Sequence, residues 1–113
     1  MAKLETIIRK DFDTVCSRIK NEILSGSISA SLEDESFFTY GDVCCRVYVF
    51  ERYSYMGGNR LSLSVTIFGK KEGPVQVSAI AAGGSQGMFI KINTLGESSF
   101  LDKFQNVIAQ LNQ

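Results

Sequence analysis

The sequence contains no histidine and no tryptophan, and its 113 residues include one proline and three cysteines. Without histidine, the chain has no Ser–His or Cys–His catalytic pair and no imidazole ligand for a metal ion. Three thiols also fall short of the four Cys or His ligands that a structural zinc site needs. We therefore predict no metal and no cofactor, and the sequence shows no recognisable catalytic constellation.

Excess charge and long hydrophobic runs are absent as well. Twelve basic and twelve acidic side chains give a net charge of zero, so the basic footprint of a nucleic-acid-binding protein is missing. The longest apolar runs, such as Val47–Phe50, are too short to span a bilayer. The first residues, Met1–Thr6, lack the apolar segment of a secretory signal. Nucleic acid and membranes are therefore not expected as partners.

The three cysteines are Cys16, Cys44 and Cys45. Neighbouring residues of one strand point to opposite faces of a sheet, so Cys44 and Cys45 do not readily form a disulfide with each other. We interpret all three as reduced thiols that act as small apolar residues. Reduced thiols are typical of the cytoplasm, which is the expected location.

The composition that is present is typical of a globular protein, with 44% hydrophobic and 21% charged residues. At this length, roughly two-thirds of the surface of the unfolded chain becomes buried on folding. That is enough for one hydrophobic core, and we predict a single α+β domain over residues 1–113.

Two segments have the apolar spacing of an amphipathic helix. Asp11 is a good N-cap and Gly26 is a natural stop, so the first helix is predicted between them. A second apolar stripe predicts a final helix from about Ser98. Residues 3–10 are predicted as a short edge strand, and a continuous helix from residue 3 is the alternative.

Between the helices the apolar residues alternate with a period of two, which is typical of strands. Met88–Asn93 is short and apolar, and we predict that it is a fifth meander strand, an extended lid or the start of a helix. Four further strands are predicted: one from Ser27, one over Val43–Tyr55, one over about Leu61–Ile67 and one over Val75–Ala81. Glu33–Glu35 is predicted as a turn or bulge, and turns are predicted at Gly41–Asp42, Gly57–Asn59 and Gly69–Pro74.

These elements follow the order (β)-α-β-β-β-β-(β)-α. The economical arrangement is a two-layer sandwich, in which an antiparallel meander sheet of four to six strands carries both helices on one face. The general shape is similar to a half-repeat of the TATA-binding-protein-like fold, and a small helix-grip fold is the alternative. Neither likeness implies a function.

The sheet face that points away from the helices is a candidate interface. Because Leu61 and Leu63 are expected beneath the helices, Ser62 and Ser64 should line this outer face. On the preceding strand we assign Cys45, Val47 and Val49 to the helix side. This assignment places the interface candidates Arg46, Tyr48 and Phe50 on the outer face, together with Arg52.

Exposed tyrosine, phenylalanine and arginine are typical of protein interfaces. The pattern therefore indicates a homodimer that forms through the open sheet face. A solvated face with ordinary cross-strand pairs and a ligand-binding face are the alternatives.

Two loops form a second candidate site, for a small anionic ligand. Residues 51–60 are rich in hydrogen-bond donors, and residues 83–87 are rich in glycine. If both loops lie at one end of the sheet, arginine charge and backbone N–H groups together could hold an anion, although plain turn chemistry is the alternative. The ligand-binding candidates are Arg52, Tyr53, Asn59, Arg60, Ser85 and Gln86.

Four segments resemble a family of uncharacterised bacterial proteins of about this length. They are SISASLED at Ser27–Asp34, ERYSYMGGNR at Glu51–Arg60, GGSQ at Gly83–Gln86 and KINTLG at Lys91–Gly96. The resemblance covers nearly the whole chain and implies a bacterial cytosolic protein of unknown function. It implies no activity, cofactor or catalytic residue.

The sequence therefore favours a small cytosolic, non-enzymatic module that binds a partner or associates with itself. A small-molecule binder or minor enzyme that uses the two loops is the alternative.

Overall fold

The computed structural model describes residues 2–26, 30–53, 60–83 and 104–112. Its elements are β1 (Ala2–Ile8), α1 (Phe12–Gly26), β2 (Ser31–Tyr40), β3 (Val43–Tyr53), β4 (Arg60–Lys70), β5 (Val75–Gly83) and a C-terminal helix, α2, over residues 104–111.

The predicted order of elements is confirmed, and the segment before α1 is a strand rather than a helix. β2 begins at Ser31 rather than at Ser27, and residues 27–29 lie outside the described part of the chain. The predicted start of the last helix at Ser98, the segment Met88–Asn93 and the turn Gly57–Asn59 also lie outside it.

All five strands form one antiparallel sheet in the order β1-β5-β4-β3-β2. The strands β2 to β5 follow one another as a meander, whereas β1 lies beside β5, with Ala2 opposite Ala81. Among the described strands, β1 and β2 therefore lie at the two ends of the order. The choice between a TATA-binding-protein-like half-repeat and a helix-grip fold stays a prediction.

α1 begins at the predicted cap. The Oδ2 atom of Asp11 accepts a hydrogen bond from the backbone N–H of Thr14 at 2.9 Å, which satisfies one of the free donors of the first turn. The N–H of Phe12 donates to the carbonyl oxygen of Lys71 at 2.9 Å, so the turn between β4 and β5 holds the start of the helix.

The turn between β4 and β5 depends on Gly73. This residue has a φ of +80°, and a Cβ atom there would collide with the carbonyl oxygen of Lys10. Only glycine fits this close approach between the turn and the segment that leads into α1.

Both helices cover the same face of the sheet, as predicted for a two-layer sandwich. The apolar positions of β4 and β5 alternate with polar ones and are buried beneath the helices. The core contains Ile8 from β1; Phe12, Val15, Cys16, Ile19 and Ile23 from α1; Tyr48 and Phe50 from β3; Leu63, Val65 and Ile67 from β4; Val75, Val77, Ala79 and Ala81 from β5; and Phe104, Val107, Ile108 and Leu111 from α2.

The predicted orientation of β3 is wrong. Phe50 pairs with Leu63, and Tyr48 pairs with Val65, so both aromatic residues share the helix side with the core positions of β4. Tyr48 and Phe50 are only 3% and 0% exposed. The other alternation of β3, including Cys45, Val47 and Val49, faces outward instead.

Volume explains this orientation. Both alternations of β3 are largely apolar, and the two aromatic side chains fill the space beneath the helices better than valine or cysteine would. Their rings lie 5.7 Å apart in a tilted arrangement. Arg46 follows them to the helix side, where it lies at the margin of the core rather than inside it.

Candidate functional site

The open face, meaning the side of the sheet away from the helices, is the larger of two candidate surfaces. Ser62, Ser64 and Thr66 lie on it as predicted, because Leu61, Leu63 and Val65 are buried on the helix side. The face is not uniformly polar, however, since β3 contributes apolar residues to it.

Large apolar residues cluster at one end of the open face. The pairing brings Phe38 beside Cys45, Cys45 beside Phe68, Phe68 beside Gln76 and Gln76 beside Ile7, in one row across all five strands. Tyr40 and Val43 pair in the next row. We call this set the apolar end; its members are Ile7, Phe38, Tyr40, Val43, Cys45 and Phe68.

The side chains of the apolar end are far more exposed than those of an ordinary core. The exposed fraction is 53% for Ile7, 59% for Phe38, 89% for Tyr40 and 46% for Phe68. Contiguous exposed apolar side chains of this kind mark interaction surfaces more often than isolated ones do.

Charges of both signs lie on the open face, and most of them form ion pairs; Asp34, opposite Val49, is a further acidic residue there. Lys3 lies 3.8 Å from Glu5, and Arg60 lies 3.1 Å from Glu51. At the rim, Lys70 lies 3.7 Å from Asp42. The face therefore presents no large field of one sign.

The second candidate surface is a polar cleft of about 380 Å³ on the helix side, between α1 and the β2–β3 pair. Its floor is formed by Tyr48 and Arg46, both of which the sequence pattern predicts on the outer face. Residues from α1 and β2 form the walls; the complete lining is Asp13, Cys16, Ser17, Lys20, Asn21, Glu35, Arg46 and Tyr48.

Arg46 is held in place by three contacts on the β2–β3 pair. Its Nη1 atom lies 3.1 Å from Oε2 of Glu35. Its guanidinium carbon lies 4.5 Å from the centroid of the Phe37 ring and 5.9 Å from that of Tyr48, within the range of cation–π attraction. The Arg46 side chain is 26% exposed, so the guanidinium is fixed yet still reaches the cleft.

Burial keeps two lining groups of the cleft uncharged. It raises the pKa of the Cys16 thiol to about 12, although the guanidinium of Arg46 opposes this shift. Burial also raises the pKa of Tyr48 to about 12, and the nearby Cys16 adds to that effect. Cys16 therefore lacks the thiolate character of a reactive cysteine.

The two arginines of the predicted anion site lie on opposite faces of the sheet. Arg52 pairs with Leu61 on the helix side, whereas Arg60 lies on the open face with Glu51, so strand alternation places the two arginines on opposite faces. Burial lowers the pKa of Arg52.

Tyr53 is the last residue of β3, opposite Arg60. Asn59, Ser85 and Gln86 lie outside the described residues, so the anion site stays a prediction.

Sequence reasoning missed the apolar end and the cleft, although the turn at Gly41–Asp42 contained a signal for both. A two-residue turn fixes the hairpin register, which places Phe37 opposite Arg46 and Phe38 opposite Cys45. Counting outward from this turn would have put Arg46 beside Phe37 and the exposed Phe38 beside Cys45.

The described part of the chain contains no cluster of three or more cysteine or acidic residues placed to ligate a metal ion. Among the same residues, neither helix has the length and hydropathy needed to span a bilayer.

Residues 1–112 match the model of a family described as a family of unknown function (DUF6054). This match confirms the resemblance to a family of uncharacterised proteins. No curated protein matches the chain.

Proposed function

This chain belongs to the DUF6054 family of unknown function, and we propose that it is a small non-enzymatic module that forms a homodimer through its open face. The observation that supports this proposal is the apolar end, where four large apolar side chains are about half exposed or more in a single patch. Covering these side chains removes apolar surface from water, which is the main driving force of protein association.

The charges of the open face favour a second copy over a strongly charged partner. In a two-fold interface each surface meets an identical surface, so a field of one sign would repel itself. Most charges of this face lie beside a charge of opposite sign, which reduces that repulsion.

The dimensions of the sheet suit an interface of ordinary size. Five strands are about 24 Å across, and strands of 7 to 11 residues are about 24–37 Å long. The open face thus covers roughly 600–900 Å². A standard interface buries about 800 Å² on each partner.

We also propose that the protein acts in the cytoplasm. Its three cysteines are free thiols, and such thiols persist in a reducing compartment. Fractionation of cells that express the tagged full chain tests this part of the proposal, and recovery from the secreted fraction would contradict it.

Sedimentation equilibrium of the full chain over a range of concentrations tests the dimer. We expect a mass that approaches twice that of one chain as the concentration rises. Phe38→Ser and Tyr40→Ser should each weaken the dimer, since each removes an exposed apolar side chain from the apolar end. A strictly monomeric protein at the highest concentration would overturn the proposal.

The adjacent residue Phe37 provides a matched control. Phe37 is also an aromatic residue of β2 and is about half exposed, but its partners Phe12 and Arg46 lie on the helix side. Phe37→Ser should leave the dimer intact, although it lowers the stability of the monomer. Equal dissociation of the Phe37 and Phe38 variants would show that the open face is not the interface.

A further inference from the structure

The polar cleft between α1 and the β2–β3 pair carries a separate inference. It lies on the helix side of the sheet, whereas the proposed dimer uses the open face, so the two surfaces can be tested independently. Its volume of about 380 Å³ falls within the range of small-molecule sites.

The charges that line the cleft are balanced. Lys20 and Arg46 contribute two cations, and Asp13 and Glu35 contribute two anions. A ligand of a single sign meets attraction and repulsion together in such a site. A dipolar ligand can place each of its charges against the opposite one, which is the arrangement that electrostatic complementarity favours.

The Arg46–Glu35 ion pair defines the geometry of such a ligand. Its guanidinium and carboxylate are 3.1 Å apart, and both side chains remain partly exposed. An α-amino acid carries its ammonium and carboxylate at a similarly short separation. Its carboxylate would accept hydrogen bonds from Arg46, and its ammonium would donate to Glu35, which are charge-assisted contacts.

The rigidity of Arg46 supports recognition of this kind. The rings of Phe37 and Tyr48 fix the guanidinium, so little side-chain freedom remains to be lost when a ligand binds. Ser17 and Asn21 are one turn apart on α1 and face the same cleft, where they offer uncharged hydrogen-bonding groups to a ligand side chain.

We propose that this cleft binds a free α-amino acid with an uncharged polar side chain, through the Arg46–Glu35 pair and the polar residues of α1. Isothermal titration calorimetry of the full chain with L-glutamine, L-asparagine and L-serine tests the proposal. At least one of these amino acids should bind. Absence of binding by all three would overturn it.

Modified ligands test the recognition of the two charges. N-acetyl-L-glutamine lacks the ammonium, and L-glutaminamide lacks the carboxylate. Each should bind at least about tenfold more weakly than L-glutamine, because each loses one charge-assisted contact. Equal binding of the modified compounds would show that the zwitterionic group is not recognised.

A variant of the ion pair tests the site itself. Glu35→Gln should weaken amino-acid binding by at least about tenfold, with a circular dichroism spectrum like that of the wild type. Asp42→Asn removes a carboxylate at the rim of the open face and should leave binding unchanged. If both variants bind like the wild type, the amino acid does not occupy the cleft.

Discussion

At the scale of single residues, side-chain volume decides which face of β3 is buried. β4 offers only one apolar alternation, and its orientation was therefore predictable from Leu61, Leu63 and Val65. β3 offers two, Val43–Cys45–Val47–Val49 and Cys44–Arg46–Tyr48–Phe50, and a local pattern does not choose between them. The pairing of Phe50 with Leu63 settles the choice.

Truncation of adjacent residues on β3 tests this orientation. Phe50→Ala should lower the free energy of unfolding by about 3–5 kcal/mol, because it leaves a cavity beneath the helices. Val49→Ala, on the open face, should lower it by about 1 kcal/mol or less. Urea unfolding of both variants measures the difference. The reverse order would place Val49 beneath the helices.

The buried thiol of Cys16 should make the protein less stable at alkaline pH. Its pKa rises from 9.0 to about 12 on folding, so the unfolded chain loses this proton at lower pH than the folded protein. The stabilisation is complete below pH 9 and is lost as the pH rises toward 12, with a slope of at most about 1.4 kcal/mol per pH unit. Tyr48 adds to this loss, since burial also raises its pKa to about 12.

Unfolding at a series of pH values above 9 measures this slope. Cys16→Ala should unfold with a shallower dependence on pH, whatever its stability at neutral pH. Cys45→Ala, which leaves Cys16 intact, should keep the slope of the wild type. An unchanged slope in the Cys16 variant would contradict the assignment.

At the scale of elements, α1 was the most predictable part of the fold. Its cap at Asp11, its stripe of buried residues and its end at Gly26 are all local features of the sequence. β2 was predicted less well, since its start at Ser31 depends on pairing with β3, although the irregular register between Leu32 and Asp34 agrees with the bulge predicted at Glu33–Glu35. The turn at Gly41–Asp42 sets Arg46 opposite Phe37, but no local pattern shows that Asp13 and the other α1 residues of the cleft lie close to them.

Replacement of the N-cap of α1 tests its contribution. Asp11→Ala should lower the Tm, because the N–H of Thr14 loses its acceptor. Asp11→Asn should retain most of the Tm at neutral pH, since the amide oxygen accepts the same hydrogen bond.

The same variants should differ in acid. The hydrogen bond from Thr14 lowers the pKa of Asp11 below its ordinary value of 3.8. The contribution of this carboxylate is therefore present above that pH and is lost as the pH falls through the folded pKa. Asp11→Asn should lose less of its Tm than the wild type between neutral pH and pH 3, as measured by thermal unfolding. Equal losses would show that the carboxylate does not act as the cap.

At the scale of the whole molecule, the position of β1 was the least predictable feature of the sheet. Strands β2 to β5 pair with their neighbours in sequence, and the turn residues between them predict these hairpins. β1 instead lies beside β5, where Leu4 is opposite Ala79. The connection through α1 leads from β1 to β2, which lies at the other end of the strand order. An isolated strand of seven residues carries no information about such a distant partner.

The location of β1 at the far end of the strand order has a kinetic consequence. Short-range hairpins form quickly, whereas a contact between Ala2 and Ala81 must close most of the chain into a loop. We expect amide protons of β3 and β4 to gain protection early in refolding and those of β1 to gain it last, as pulsed hydrogen exchange would measure. On a ribosome, β1 would then leave the exit tunnel well before β5 is synthesised and would have no strand to pair with until β5 emerges.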